Sequence, residues 1–340
     1  MSTTLVAPTA LETWQSSNSF LTRGEPGWGY FGETFGADES LTWQEIAKRT
    51  HLLNWNVRVR QLDTDARFDP KRPDFEVIRD NPFDGGLDRL GLAKKRYTPY
   101  QNERMLEFGS NIVDGGATWQ AAGAVKDGRN VFAFLKVDKE ILVGDEEIDM
   151  FLMLTTSHDG SLALQASMTP YRPVCANVLP MALKGTKQKF TIRHTGKMEE
   201  RIVLARQALG IAFNYVDAFS VEANALLDAS VSNQQFDALI RGLYPEPEVD
   251  VKGALTKWET KRDTLHDIWN DKAAGPATTG NTHGTAWGAL NALTEYVDWY
   301  RTPRGLNGST NLLEAQAGFD PTVLKTKNTI LTAVRTLAGV

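Results

Sequence analysis

The chain has a single cysteine, Cys175, among its 340 residues. That excludes an intramolecular disulfide and any zinc or iron–sulfur site built from cysteines alone. Long hydrophobic runs are also missing. Uninterrupted apolar stretches such as Met150–Leu154 stop at five residues, far short of the ~18 that a membrane-spanning helix needs. The first residues, Met1-Ser-Thr-Thr-Leu5, lack the basic-then-apolar pattern of a secretory signal, so a cytoplasmic location without membrane association is expected. Positive charge is not in excess: 37 Lys and Arg stand against 42 Asp and Glu, a net charge of −5. A small dedicated DNA-binding domain is usually basic overall, so any nucleic-acid site here is a local patch on an acidic body. Strong catalytic signatures are absent too. There is no glycine-rich phosphate loop ending in lysine, no G-x-S-x-G elbow, no H-E-x-x-H pair and no paired zinc knuckle. The expectation is a protein that is not an enzyme and needs no cofactor or metal.

What is present suits a folded protein. Hydrophobic residues make up 41% of the chain and charged residues 23%, enough for a sizeable core over about two domains. Residues 1–40 read as a glycine- and aromatic-rich leader, with Trp28, Tyr30, Phe31 and Phe35 set among glycines, an ordered loop docking on the body or on a neighbouring subunit. Residues 41–244 read as an α+β core, an antiparallel β-meander packed against helices. The spacing predicts a helix over Leu41–Thr50 capped by Ser40, then strands at Asn54–Leu62, Phe75–Arg79 and Leu90–Tyr97, and a helix at Tyr100–Val113. The meander follows as Thr118–Val125, Asn130–Val137, Ile148–Thr156 and Leu162–Met168, with turns at Lys126–Arg129 and Ser157–Ser161. Its second and third strands are apolar on both faces and must be covered on both, one cover being the helices and the other a neighbouring subunit. A short helix from Pro173 to Leu183, an extended Lys187–His194 and a long helix from Lys197 to Leu227 complete the core. After the stiff Pro245-Glu-Pro-Glu-Val-Asp250, residues 245–340 read as a mainly helical region, with helices at Leu255–Lys272, Ala286–Arg301, Asn311–Ala317 and Thr322–Leu337.

Four groupings invite a chemical reading. His158-Asp159 suits a catalytic or metal role, but Asp159-Gly160 is also the ordinary residue pair of a hairpin turn. Cys175 with His158 or His194 suits a nucleophile–base pair or a mixed zinc site, while its place on the apolar side of a predicted helix suits an inert buried thiol. The segment from Arg172 to Arg206 is the most informative. Arg172, Lys184, Lys187, Lys189, Arg193, Lys197, Arg201 and Arg206 face only Glu199 and Glu200, and His194 adds a donor. Such a strip can track a phosphate backbone, or it can be a solvated face paired with the acidic hairpin Asp138–Glu147. Tyr97 and Tyr100 beside Lys94-Lys95-Arg96 form a smaller mixed patch.

Several ordered blocks resemble the phage/plasmid-like protein family, a domain-of-unknown-function family of phages, prophages and plasmids. They are Arg79-Asp80, then Leu90-Gly91 through Tyr97-Thr-Pro-Tyr-Gln-Asn102, Ala122-Gly123 with Gly128-Arg129, Ser157-His-Asp-Gly-Ser161 and Thr169-Pro-Tyr-Arg-Pro-Val-Cys-Ala-Asn177. Arg193-His194-Thr195, Ala205 with Leu209, Tyr296-Val-Asp298 and a helix bearing Lys325 follow in order. The departure is Pro173, where the family more often has valine. The layout is similar to that of single-strand annealing recombinases of the Rad-fifty-two type, which form rings and hold single-stranded DNA in a basic groove. Carried onto this chain, the resemblance implies a homo-oligomeric, sequence-independent single-stranded DNA-binding and annealing protein of phage-type recombination. Its phosphate contacts would be Arg172, Lys184, Lys187, Lys189, Arg193, His194, Lys197 and Arg201, with Lys126 and Arg129 on the far wall. Annealing needs no nucleophile or metal, and phage or host replication and recombination proteins would be further partners. The alternatives are a regulator that grips a protein through Trp28–Phe35, and an enzyme using Cys175, His158 and His194.

Overall fold

The computed structural model of the chain describes residues 19–23, 33–62, 75–94, 96–113, 116–172, 177–178, 189–192, 202–249, 251–273, 279–300 and 320–340. They form an α+β fold in two compact units. The first comprises residues 1–138, 151–168 and 189–212, the second 139–150, 169–188 and 213–340.

In the first unit, β1 (Ser19–Arg23) and β2 (Glu33–Phe35) come from the predicted leader. They are strands, not a docked loop: β1 pairs antiparallel with β6 (Ala117–Val125), Leu21 opposite Ala122, and parallel with β2. Leu21 and Phe35 are buried, which is why this stretch binds to the sheet. Helix α1 (Trp43–Arg49) starts two residues later than expected, at Thr42 instead of Ser40. The Thr42 hydroxyl accepts from the Glu45 amide at 3.3 Å and the Glu45 carboxylate accepts from the Thr42 amide at 2.8 Å. This reciprocal pair satisfies two otherwise orphaned donors, and Ser40 has no equivalent.

A three-stranded sheet follows, β3 (Arg58–Gln61), β4 (Phe75–Asp80) and β5 (Leu87–Ala93) in that order. The strand expected from Asn54 begins only at Arg58, because Asn54 and Asn56 take φ of +59° and +45°, outside the extended region. Helix α2 (Asn102–Val113) then packs against β6. Gly109 makes that approach possible, since a Cβ there would lie 2.6 Å from the Trp119 ring.

The large sheet contains β6, β7 (Asn130–Val143), β8 (Glu146–Ser157) and β9 (Leu164–Arg172) as consecutive neighbours, with β1 and β2 beyond β6. On the side away from β8, β9 carries two further pairings, with β10 (Asn177–Val178) and β11 (Lys189–Ile192). Asn177–Val178 therefore corrects the helix expected from Pro173 to Leu183; the rest of that stretch lies outside the described residues. The doubly apolar strands also read differently. Val131 through Leu135 are each 0% exposed within the single chain, so their burial gives no reason to invoke a neighbouring subunit. Phe132, Phe134 and Phe151 meet edge to face there, with centroids 5.6 and 6.3 Å apart.

The second unit is mostly helical. It holds the greater part of α3 (Ile202–Asp228), then α4 (Asn233–Leu243), α5 (Ala254–Trp269), α6 (Ala286–Glu295), a π-helical turn at Tyr296–Tyr300 and α7 (Pro321–Ala338). Helix α4 was not expected from the sequence, although Ser232 and Gln235 close a second capping box at its start. The helix expected to run on to Arg301 leaves α-geometry after Glu295, and the one expected at Asn311–Ala317 lies outside the described residues. Phe236 stacks on Trp269 at 4.5 Å and Phe219 meets Trp287 edge-on at 6.0 Å, so aromatic contacts join α4 to α5 and α3 to α6. The β7–β8 tip belongs to this unit. The Asn224 amide donates to the Leu142 carbonyl at 3.1 Å and its oxygen accepts from Gly144 N–H at 3.3 Å.

Candidate functional site

The candidate phosphate contacts fall into three groups. Lys184, Lys187, Arg193, His194, Lys197 and Arg201 lie outside the described residues, as do Cys175 and the leader aromatics Trp28, Tyr30 and Phe31. Arg172 and Lys189 are placed by their backbones: Arg172 closes β9 opposite Asn177, and Lys189 opens β11 opposite Ser167. Lys126 and Arg129 sit together at the β6–β7 turn.

That turn is built from three successive left-handed residues, Lys126, Asp127 and Gly128, with φ of +55°, +56° and +78°. The Arg129 amide closes it onto the Lys126 carbonyl at 3.1 Å. Asp127-Gly128 is a pair that tight hairpin turns favour, whereas a lysine at positive φ is held where the surroundings offset its cost. Here the surroundings come from distant parts of the chain. On one side the His158 amide donates to the Arg129 carbonyl at 2.7 Å, which locks the β6–β7 turn to the β8–β9 turn. On the other, Gly128 lies against the Arg79 guanidinium and the Trp55 ring; a Cβ there would stand 2.6 Å from Arg79 Cζ and 2.9 Å from Trp55 Cη2.

Arg79 is fully buried. Its Nε donates to Asp88 Oδ2 at 2.9 Å and its Nη2 lies 2.8 Å from the same oxygen, while its Cζ is 4.0 Å from the Trp55 ring centroid. Desolvation pulls its pKa below the ordinary guanidinium value, opposed by Asp88, Asp127 and Asp84. His158, also fully buried, lies 5.7 Å from Trp55, and its Nε2 is 2.8 Å from Asn102 Oδ1. Asn102 in turn donates to the Leu52 carbonyl at 3.2 Å. Asp159 acts within its own turn, accepting from the Ser161 amide at 2.8 Å. Its desolvation is outweighed by Ser161, Ser157 and the charge of Lys126, which hold its carboxyl below the usual range. The Tyr97 hydroxyl donates to the Ser157 carbonyl at 3.2 Å, and burial, with Asp159 nearby, pushes its pKa up.

The blocks Arg79-Asp80, Leu90-Gly91, Tyr97–Asn102, Gly128-Arg129 and Ser157–Ser161 thus meet around one pair of turns. Sequence reasoning did not single out Trp55, Arg79 or Asn102 as functional. Arg79 is the one with a readable signal, a charge among the apolar residues Val77 and Ile78 of a strand. Residues 89–327, more than half of the chain, match the family described as Domain of unknown function (DUF932). The chain belongs to the DUF932 family. No curated protein and no solved structure matches it.

In this DUF932 protein the chemistry available at the turns is ionic. The Arg129 side chain is exposed and makes no ion pair or hydrogen bond among the described residues, leaving a planar fork suited to a phosphate or carboxylate. Strand β11 runs antiparallel to β9, so it ends with Ile192 opposite Leu164, at the end of the sheet where the two turns lie. Arg172 is at the far end of β9. Among the described residues no group of three or more His, Cys, Asp or Glu could hold a metal ion, and no helix is long and apolar enough to cross a membrane.

Proposed function

We propose that this protein binds single-stranded DNA without sequence preference and anneals complementary strands, as a homo-oligomer in phage-type recombination and without covalent chemistry. The supporting observation is the pairing of β11 with β9. It sets Lys189–Ile192 of the basic segment beside β9 and ends, at Ile192, at the end of the sheet where Arg129 is exposed. On this reading Arg172, Lys184, Lys187, Lys189, Arg193, His194, Lys197 and Arg201 contact phosphates, as do Lys126 and Arg129. Base pairing between held strands supplies the free energy of annealing. The resemblance to annealing recombinases supports the homo-oligomer.

The test is binding of a labelled single-stranded oligonucleotide titrated with salt, on protein whose mass is measured in the same buffer. Each lost phosphate contact lowers the slope of log K against log salt by about 0.7. Lys187→Ala with Lys189→Ala is therefore expected to flatten the slope by about 1.4 for every sequence tested. Unchanged affinity and slope in that double variant would remove the groove, and a monomer without affinity at low salt would remove the whole reading.

A further inference from the structure

We propose that buried Arg79 is a positioning residue that holds the β6–β7 turn in the shape that presents Arg129 to its anionic ligand. The part concerning the ligand rests on the single-strand binding reading; the part concerning the turn does not. A fully buried guanidinium is costly unless its donors and charge are met. Arg79 meets one carboxylate, Asp88, and lays its face on Trp55, yet its Nη1 makes no hydrogen bond among the described residues and lies under Gly128. Packing against the turn is thus what that end of the side chain does. Asp127-Gly128 is a pair that tight hairpin turns favour, but the left-handed Lys126 ahead of it adds a cost that such a seat offsets. The negative charge of Asp127, in the turn itself, adds attraction toward Arg79. With Gly128 seated and the Arg129 carbonyl held by His158 N–H, the Arg129 backbone is fixed on both sides while its side chain projects free. A fork held this way loses little freedom when it meets a phosphate.

The experiment has two arms on the full chain, with Arg79→Lys, Arg79→Met and Trp55→Phe. In the first, hydrogen exchange of the Arg129 and His158 amides is expected to quicken at least about tenfold in Arg79→Lys, which keeps the charge but loses the fork and the stacking. In the second, Arg79→Lys is expected to lower the salt slope of oligonucleotide binding by about 0.7, one contact, and to have no further effect in an Arg129→Ala background. Trp55→Phe, which retains an aromatic face for Arg79 but loses the Cη2 edge that meets Gly128, is expected to shift both arms in the same direction as Arg79→Lys by a smaller amount. If Arg79→Met does not fold, Arg79→Lys carries both arms. Unchanged exchange of the two amides would overturn the seat. Equal losses with and without the Arg129 side chain would overturn the link to binding. A wild-type protein that ignores single-stranded DNA would defeat the binding reading alone, with the exchange arm still deciding whether Arg79 holds the turn.

Discussion

Gly91 of β5 passes so close to the β8–β9 turn that a Cβ on it would stand 2.5 Å from Asp159 Cα and 2.9 Å from Asp159 Cβ. The obstacle is main chain held in a turn, so it cannot rotate away. Gly91→Ala is expected to destabilise the protein by about 2 kcal/mol, the cost of overpacking a tight contact. Gly242 in α4 is the control. Nothing lies within 4 Å of its missing Cβ, so Gly242→Ala is expected to stabilise by about 0.5 kcal/mol through helix propensity. Urea unfolding of the two variants checks both signs, and loss of stability in both would refute the geometric argument.

Lys327 of α7 and Asp298 of the π-helical turn form a buried ion pair, Nζ to Oδ1 at 2.6 Å, with side chains 4% and 0% exposed. Removing one partner strands the other charge away from water, which in buried pairs costs about 3 kcal/mol or more. Lys327→Met is therefore expected to lose about that much stability. Adding Asp298→Asn should cost less than it does in the wild-type background, a coupling of at least about 1 kcal/mol in the double-mutant cycle. Additive losses would mean that each group is held by other neighbours.

The meander was legible because its signals are local. Short apolar runs bounded by the Asp127-Gly128 and Asp159-Gly160 turns mark both the strands and their order, and the turn chemistry leaves few alternatives. The capping boxes at Thr42/Glu45 and Ser232/Gln235 are equally local, and their polar pairs, more than the serine at position 40, mark where α1 and α4 begin. Strand β1 was illegible for another reason. Ser19–Arg23 has no alternation of its own and becomes a strand only by pairing with Ala121–Ala124 of β6, about a hundred residues away in sequence. The seat of the β6–β7 turn is the extreme case. Burial of Arg79 depends on Trp55, Asp88 and Gly128 together, and no pattern in the neighbourhood of residue 79 encodes that convergence. The turn residues Lys126 and Arg129 could be picked by charge, and Arg79 shows as a charge in an apolar strand, but nothing local says what Arg79 meets.

Acid should loosen the helical unit through Asp237. Its carboxylate accepts from Arg262 at 2.6 Å, from Arg241 at 2.9 Å and from His266 at 3.1 Å, joining α4 to α5. Partial desolvation would raise its pKa, but the bonds from Arg262, His266 and Arg241 and the charge of Arg262 outweigh it and hold the carboxyl far below the usual range. In the unfolded chain an aspartate titrates near about 3.9. The folded value is the lower one, so these contacts contribute stability that is fully present above the unfolded pKa and is lost as pH falls toward the folded one. Asp237→Asn keeps the size and removes the charge. It is expected to lower the urea midpoint most at neutral pH, with the gap to wild type narrowing steadily below about pH 4. A gap of constant size between pH 7 and pH 3 would assign the effect to lost hydrogen-bond geometry instead of charge.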